Sequence, residues 1–480
     1  MQASREKRRY PGSTKEGSES RSQSRRDRDR ILYATSWLRL GRVTQVVSSN
    51  DGGALLNNRM SHSLRVAQVA RSIAEQIIGD VAGQELALAL GGVDPDVVEA
   101  ASLAHDLGHA PFGHIGEQVL DDVARTVLNL PDGFEGNAQT IRIATKLEKR
   151  SIGYDGMNFT AATRAALMKY PWKRFTGNTD KNEDSPAQVL KSKKFSVYKA
   201  EIDELEHARE FLPPGFPDDV QTLESSIMDI ADDITYAVHD LEDFYHANLL
   251  DMSQIEGHLK YARQKSDPSG QSPFERLWRD LDSGYPGYFD ETLYKSALEE
   301  VSATLQRGFP TERGRSSSDN NGLPATSARD HCSALINRYV NSVEIRKERF
   351  WATGPFIALQ SEKWHEIQVL KQITRGYIIE RSDVAMMQRG QQNLLRKLVL
   401  LLHEWSIQDR DRLPFTLRQE MALAESQMAR GRGAQRKPWR GAPERCILDY
   451  LCSLGDEQCN HLHRVLTGSH SPAIALAFNS

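Results

Sequence analysis

The sequence predicts an all-α protein, on three observations. Apolar residues recur at i, i+3 and i+4 through several long stretches, the mark of amphipathic helices. No run of useful length alternates apolar with polar residues, as a half-buried strand would. Neither a GxGxxG word nor a Walker loop is present, so the usual phosphate cradles of α/β folds are missing. The chain has 480 residues, enough for about two to four domains by length alone. A net charge of −4 gives no global field toward nucleic acid. Four cysteines, Cys332, Cys446, Cys452 and Cys459, are too few for a disulfide framework in a chain this long, which fits a reducing cytoplasm. Cys446, Cys452 and Cys459 lie near His461 and His463, but they lack the CxxC knuckle of a zinc site. No apolar run approaches a membrane span, and no hydrophobic region follows Arg8-Arg9, so a twin-arginine signal is not supported.

Residues 1–30 hold ten Lys/Arg against five acids with almost nothing apolar, which predicts a disordered basic tail. Apolar positions then begin with Ile31, Leu32, Trp37, Leu38 and Leu40, followed by Val43-Thr44-Gln45-Val46-Val47 and a turn at Asn50-Asp51-Gly52-Gly53. Arg59-Met60-Ser61-His62 opens a long helix with Leu64, Ala67, Ala70, Ile73, Ala74 and Ile77 on one face. Val97, Val98, Ala101, Leu103, Ala104 and Leu107 predict a buried helix that cannot run on through Gly108, Pro111 and Gly113.

The chain is organised around residues 105–117, where three histidines and two acids crowd together: His105-Asp106-Leu107-Gly108-His109-Ala110-Pro111-Phe112-Gly113-His114-Ile115-Gly116-Glu117. A neutral imidazole beside an anionic carboxylate suits a metal ion. An isolated pair of this kind would more often be a helix cap. His114 and Glu117 stand at i and i+3 where the next helix, residues 115–129, begins, so the carboxylate can orient the imidazole. A polar loop at 176–196 closes on Lys191, Lys193 and Lys194.

The helix predicted over 222–245 has Ile227, Ile230, Ile234, Ala237, Val238 and Leu241 on one side. Asp229, Asp232, Asp233, Tyr236, Asp240 and Asp243 occupy the other. Aspartate is a poor helix former and neighbouring carboxylates repel, so the stripe costs stability unless a cation or ligand relieves it. Beyond residue 250 the pattern stays helical, interrupted by loops near 307–330 and 430–443. Residues 426–445 hold six cations against one acid, with Trp439 among them, a composition suited to single-stranded nucleic acid or a regulatory nucleotide. A solvated loop is the plainer reading.

His62, His105-Asp106 and Asp232 resemble the H…HD…D pattern of HD-domain phosphohydrolases. The neighbouring words resemble one family within it, the deoxyguanosine triphosphate triphosphohydrolases: Thr44-Gln45-Val46, Arg59 to Leu64, residues 105–117, Phe134-Glu135-Gly136-Asn137-Ala138-Gln139, and residues 231–243. The likeness is close over about 30–250 and looser beyond. It implies an HD-domain helical core over 31–250, with a helical C-terminal extension over 251–480 packing on it. It also implies one divalent ion, Mn²⁺ or Mg²⁺, held by His62, His105, Asp106 and Asp232. The reaction implied is attack of water on the α-phosphorus of a deoxynucleoside triphosphate (dNTP), giving the nucleoside and tripolyphosphate.

By the same resemblance His114 with Glu117 takes a proton from water or gives one to the departing 5′ oxygen, both roles remaining open, and His109 neutralises phosphate charge. Gln45 and Asp240 would contact the 3′-hydroxyl, with Tyr236 beneath the sugar. Arg59, Lys169 and Lys194 would hold phosphates. Ser196 departs from the family, which often has glycine after the lysine–aromatic pair Lys194-Phe195. Members assemble as tetramers or hexamers, so a homo-oligomer is expected. The competing expectations are other HD enzymes, the cyclic-nucleotide phosphodiesterases and guanosine tetraphosphate hydrolases, or a non-catalytic HD protein that senses nucleotides or binds single strands.

Overall fold

A computed structural model describes residues 2–10, 20–46, 58–177, 186–264, 272–309, 323–431 and 442–469. Helices dominate, and the only paired strands among the described residues are β1 (Val343–Ile345) and β2 (Ile357–Leu359), antiparallel with Val343 opposite Leu359. Seven helices bear on the site: α1 (Arg59–Gly79), α2 (Pro95–Ala104), α3 (Gly113–Thr126), α4 (Leu223–His246), α5 (Ser361–Thr374), α6 (Ser382–Gln408) and α7 (Asp456–Leu466).

Local chemistry explains their starts. Asn58 caps α1 by accepting from the Ser61 amide, Asp94 caps α2 ahead of Pro95, and Thr222 caps α4 by accepting from the Ser225 amide. The apolar faces then pack. Ile73, Ala70 and Val66 of α1 meet Ile227, Ile234, Val238 and Leu241 of α4 in one cluster that continues through Leu298, Leu305, Ile367 and Leu370. Burying each such large aliphatic side chain contributes about 1.5–3 kcal/mol. A second cluster joins Val119, Leu120 and Val123 of α3 to Leu395, Leu398 and Leu402 of α6 and to Ile447, Leu451 and Leu462. The apolar cores therefore run across residue 250, and the later helices close over the earlier ones.

The tail overturns the expectation of disorder in its described parts. Residues Gln23–Leu32 form a helix in which Asp27 and Ile31 are fully buried. Arg8 pairs with Asp27 at 2.6 Å, Arg9 with Asp203 at 2.5 Å, and buried Arg5 with buried Glu224. The Ala161 amide donates to the Lys7 carbonyl at 2.8 Å. Composition predicts disorder when charge has no fixed partner, and here Arg5, Arg8 and Arg9 each have one.

The predicted turn at 50–53 lies outside the described residues, as do most of the 307–330 loop and 432–441 with Arg436, Lys437, Trp439 and Arg440. The expected loop at 176–196 contains a helix, Pro186–Lys193. All four cysteines are free and buried, and no metal-competent cluster among the described residues includes one. No helix among those residues is long and apolar enough to cross a membrane.

Candidate active site

Helix α2 ends at Ala104, and the chain turns sharply through residues 105–112 before α3 begins. Gly108 is required there, since a Cβ would lie 2.1 Å from the Thr140 nitrogen. Its amide donates to Thr140 Oγ1 at 2.9 Å, and that hydroxyl donates to the His105 carbonyl at 3.0 Å. Phe112 then adopts φ 63° and ψ 18°, a left-handed conformation costing a non-glycine residue on the order of 1–3 kcal/mol. Its amide donates to buried Asp456 at 2.8 Å, a charge-assisted bond that offsets the strain.

The turn brings the expected ligands together. His62 Nε2 is 3.0 Å from Asp232 Oδ1, and His105 Nε2 is 3.8 Å from the same oxygen. One donor atom from each of these three residues lies within 4.8 Å of the others. Asp106 turns Oδ1 toward His105 Nε2 at 3.2 Å, while its Oδ2 accepts from Arg59 at 2.8 Å. His105 Nδ1 stands 2.7 Å from the Ser102 carbonyl, which requires N–H there and leaves the Nε2 lone pair facing the cluster. Burial acts to raise Asp232, but the His62 hydrogen bond, Lys169 and His105 hold it well below the usual carboxylate range. Burial likewise opposes ionisation of Asp106, and His105, His109 and Arg59 outweigh it. Two imidazoles and two carboxylates so arranged fit a divalent cation.

Beside this cluster lies a second group. His114 Nδ1 is 3.2 Å from Glu117 Oε2, and His109 Nε2 is 3.5 Å from Glu117 Oε1. Glu117 is buried, whereas the His114 side chain is 69% exposed and free to meet a ligand. Burial acts to raise Glu117, but His109 and His114 hold it well below its ordinary value. His109 is pushed down to about 3, by burial first and Arg59 next, against the pull of Asp106 and Glu117. The two carboxylates stand at 3.3 and 3.5 Å from its ring nitrogens. A polyanion arriving in the cavity would add to the pull of those two carboxylates on the imidazole. Gly136 allows this packing, since a Cβ there would stand 2.3 Å from Glu117 Oε1.

The clusters share the wall of a cavity of about 610 Å³ with Gln45, Arg59, Lys169, Lys194 and Tyr236. Lys169 pairs with Asp229 at 2.5 Å and approaches Asp232 at 3.5 Å, and Lys194 pairs with Glu135 at 3.0 Å. Burial and then Asp240 raise the Tyr236 phenol far above its ordinary value, so it stays neutral. Asp240 is not part of the cavity wall. It is buried behind it, raised well above the usual carboxylate range by burial and then by Asp243 and Asp232.

Ser196 fits where the family often has glycine, because its fully buried hydroxyl accepts from the Tyr170 amide at 2.9 Å. Sequence reasoning missed the opposite wall, where Gln368, Lys371, Gln372 and Arg375 face the cavity and Lys371 holds Asp233 at 2.6 Å. The signal was present as polar residues at i, i+3, i+4 and i+7, alternating with the buried Ile367, Val369, Leu370 and Ile373. A π-helical turn, Arg375–Ile379, comes directly after.

Residues 59–237 match the HD domain, and residues 357–465 match the phosphohydrolase-associated domain. A Streptomyces coelicolor protein is 31% identical over 461 residues, covering 93% of each chain. A Bifidobacterium longum protein is 41% identical over 231 residues, 47% of this chain and 42% of that one. One from Ralstonia nicotianae is 34% identical over 256 residues, 53% and 54% of the two chains. All three carry the name deoxyguanosinetriphosphate triphosphohydrolase-like protein. In the latter two the match spans about half of each protein.

Proposed function

This chain belongs to the deoxyguanosinetriphosphate triphosphohydrolase-like family of HD-domain phosphohydrolases, and from that premise we propose that it is a metal-dependent dNTP triphosphohydrolase. The observation that carries the reading is the shared wall: the His62–His105–Asp232 cluster, the exposed His114 backed by buried Glu117, and Tyr236 all face one cavity with Arg59 and two lysines. Asp106 completes the proposed ligand set. Bound there, a divalent ion such as Mn²⁺ or Mg²⁺ would polarise an α-phosphoryl oxygen and acidify water.

The remaining work falls to side chains. In the proposed step a bond forms between a water oxygen and the α-phosphorus. The bond from that phosphorus to the 5′ oxygen breaks, and the 5′ oxygen leaves protonated. The products are the deoxynucleoside and tripolyphosphate. His114 moves the proton, because its ring is exposed to the cavity and Glu117 fixes the ring through Nδ1. His109, on the same wall, balances phosphate charge, since a polyanion beside the ring favours its protonated form. Arg59, Lys169 and Lys194 draw the polyphosphate inward, the lysines exchanging acidic partners for phosphate oxygens. Tyr236 packs against the deoxyribose. Gln45 Oε1, on the cavity wall, is buried without a hydrogen-bond partner and keeps an acceptor position that a 3′-hydroxyl can fill, while Asp240, behind the wall with Oδ2 also unpartnered, would meet that hydroxyl only if the wall gives way around a bound sugar.

The test is incubation with Mn²⁺ and each of the four dNTPs, alone and with a partner nucleotide, with products separated by ion exchange. Deoxynucleoside and tripolyphosphate in equal amounts are expected; release of monophosphate or pyrophosphate instead would refute the reaction. A homo-oligomer, tetramer or hexamer, belongs to the same proposal. Exposed Met386, Ile407 and Phe415 would be covered in it, and mass measurement in solution decides.

A further inference from the structure

The corner Leu454–Asp456 of the phosphohydrolase-associated region is seated between the two stretches that carry the active-site residues. Buried Arg39 donates to the carbonyls of Leu454 at 2.8 Å, His109 at 2.8 Å and Leu107 at 3.4 Å. Gly455 passes so close to Arg42 that a Cβ would lie 2.6 Å from the Arg42 Cβ. Asp456 closes the corner. Its Oδ1 accepts from the Phe112 amide at 2.8 Å, and its Oδ2 accepts from the Thr44 amide at 2.9 Å and the Thr44 hydroxyl at 2.6 Å.

An aspartate in the first turn of a helix ordinarily serves that helix, favouring the dipole or capping amides. Asp456 does otherwise: both oxygens point out of α7, and all three bonds go to residues more than 300 positions earlier. One recipient, Phe112, is the left-handed residue directly before α3, two positions from His114. The other, Thr44, precedes Gln45 on the cavity wall. The carboxylate thus fixes the dyad side and the Gln45 side of the cavity to one another.

We propose that Asp456 is a positioning residue through which the C-terminal region sets the active-site turn, acting on His114 by way of the Phe112 amide and on Gln45 by way of Thr44. The functional half rests on the triphosphohydrolase reading; the structural half does not.

The test uses the full chain carrying Asp456→Asn, Thr44→Val or Thr44→Ser. Asparagine keeps the shape but turns a donor toward one of the three donors it must bind. Asp456→Asn is expected to retain one Mn²⁺ per chain and the helical circular dichroism. Its Phe112–His114 amides should exchange at least about tenfold faster with deuterium, and kcat should fall about tenfold or more. Thr44→Val, losing one bond beside Gln45, should act mainly on KM, and Thr44→Ser should restore wild-type values. Unchanged exchange and unchanged kcat in a folded Asp456→Asn overturn the proposal. Should that variant not fold, the threonine pair decides: valine and serine variants that both match the wild type refute it. Absence of tripolyphosphate release by the wild-type chain refutes the proposed function alone, and amide exchange still decides the positioning.

Discussion

His62 Nε2 and Asp232 Oδ1 lie 3.0 Å apart across the packed faces of α1 and α4, although 170 positions separate them in the chain. Both helices are long and buried along their inner faces, so the pair is held by two rigid elements rather than by loops. Replacing Asp232 or His105 by alanine should therefore remove Mn²⁺ while leaving the helices intact. Metal analysis after gel filtration should read near one ion per chain for the wild type and near zero for the variants. Full occupancy in either variant would dismiss the ligand assignment.

His114 and Glu117 should separate chemistry from binding. His114→Ala and Glu117→Gln leave the four proposed ligands untouched, so metal content should not change. Turnover should fall at least ~100-fold, the usual size of a general acid–base contribution. Near-normal turnover in both would reduce the dyad to a structural ion pair.

Tyr236 stands one turn after Asp232, about 6 Å along α4. A nucleotide with its α-phosphate at the metal cluster would lay its sugar on this ring, leaving no space for a 2′-hydroxyl. Tyr236→Ala should lower dNTP turnover and narrow the preference for deoxy- over ribonucleotides in competition assays. A lower Tm with that ratio unchanged would show Tyr236 to be packing alone.

Glu224 gives a pH signature of stability remote from the chemistry. Burial lifts its carboxyl from the ordinary 4.5 to about 7, Arg5 opposing and Asp94 adding to the rise. A carboxyl raised by folding stabilises through its protonated form, fully below pH 4.5, and that contribution is lost as pH rises through 7. The stability of the wild type relative to Glu224→Gln should thus decline between those values and level off above them. Urea unfolding across that range measures it, and a pH-independent difference would contradict the assignment.

Much of this was legible in the residues. The 3.6-residue periodicity placed α1, α3 and α4 nearly to their ends, and the density of His and Asp marked the turn between α2 and α3. Charge without visible partners misled at the tail, because Glu224 and Asp203, the mates of Arg5 and Arg9, lie about 200 positions away. The downward push on His109 was hidden for the same reason: it comes from burial and from Arg59, neither of which its neighbours in sequence reveal. The wall from Gln368 to Arg375 was visible as a polar stripe, but nothing local shows which surface such a stripe faces. Asp456 carried no motif at all.

The four buried free cysteines leave the protein's exterior chemically blank toward thiol reagents. Gln118 is exposed on the rim of the cavity, one position after Glu117. A single Gln118→Cys substitution would therefore create the one solvent-facing thiol in the chain, an attachment point for an environment-sensitive dye. Occupancy of the cavity could then be followed as light, in real time, without turnover.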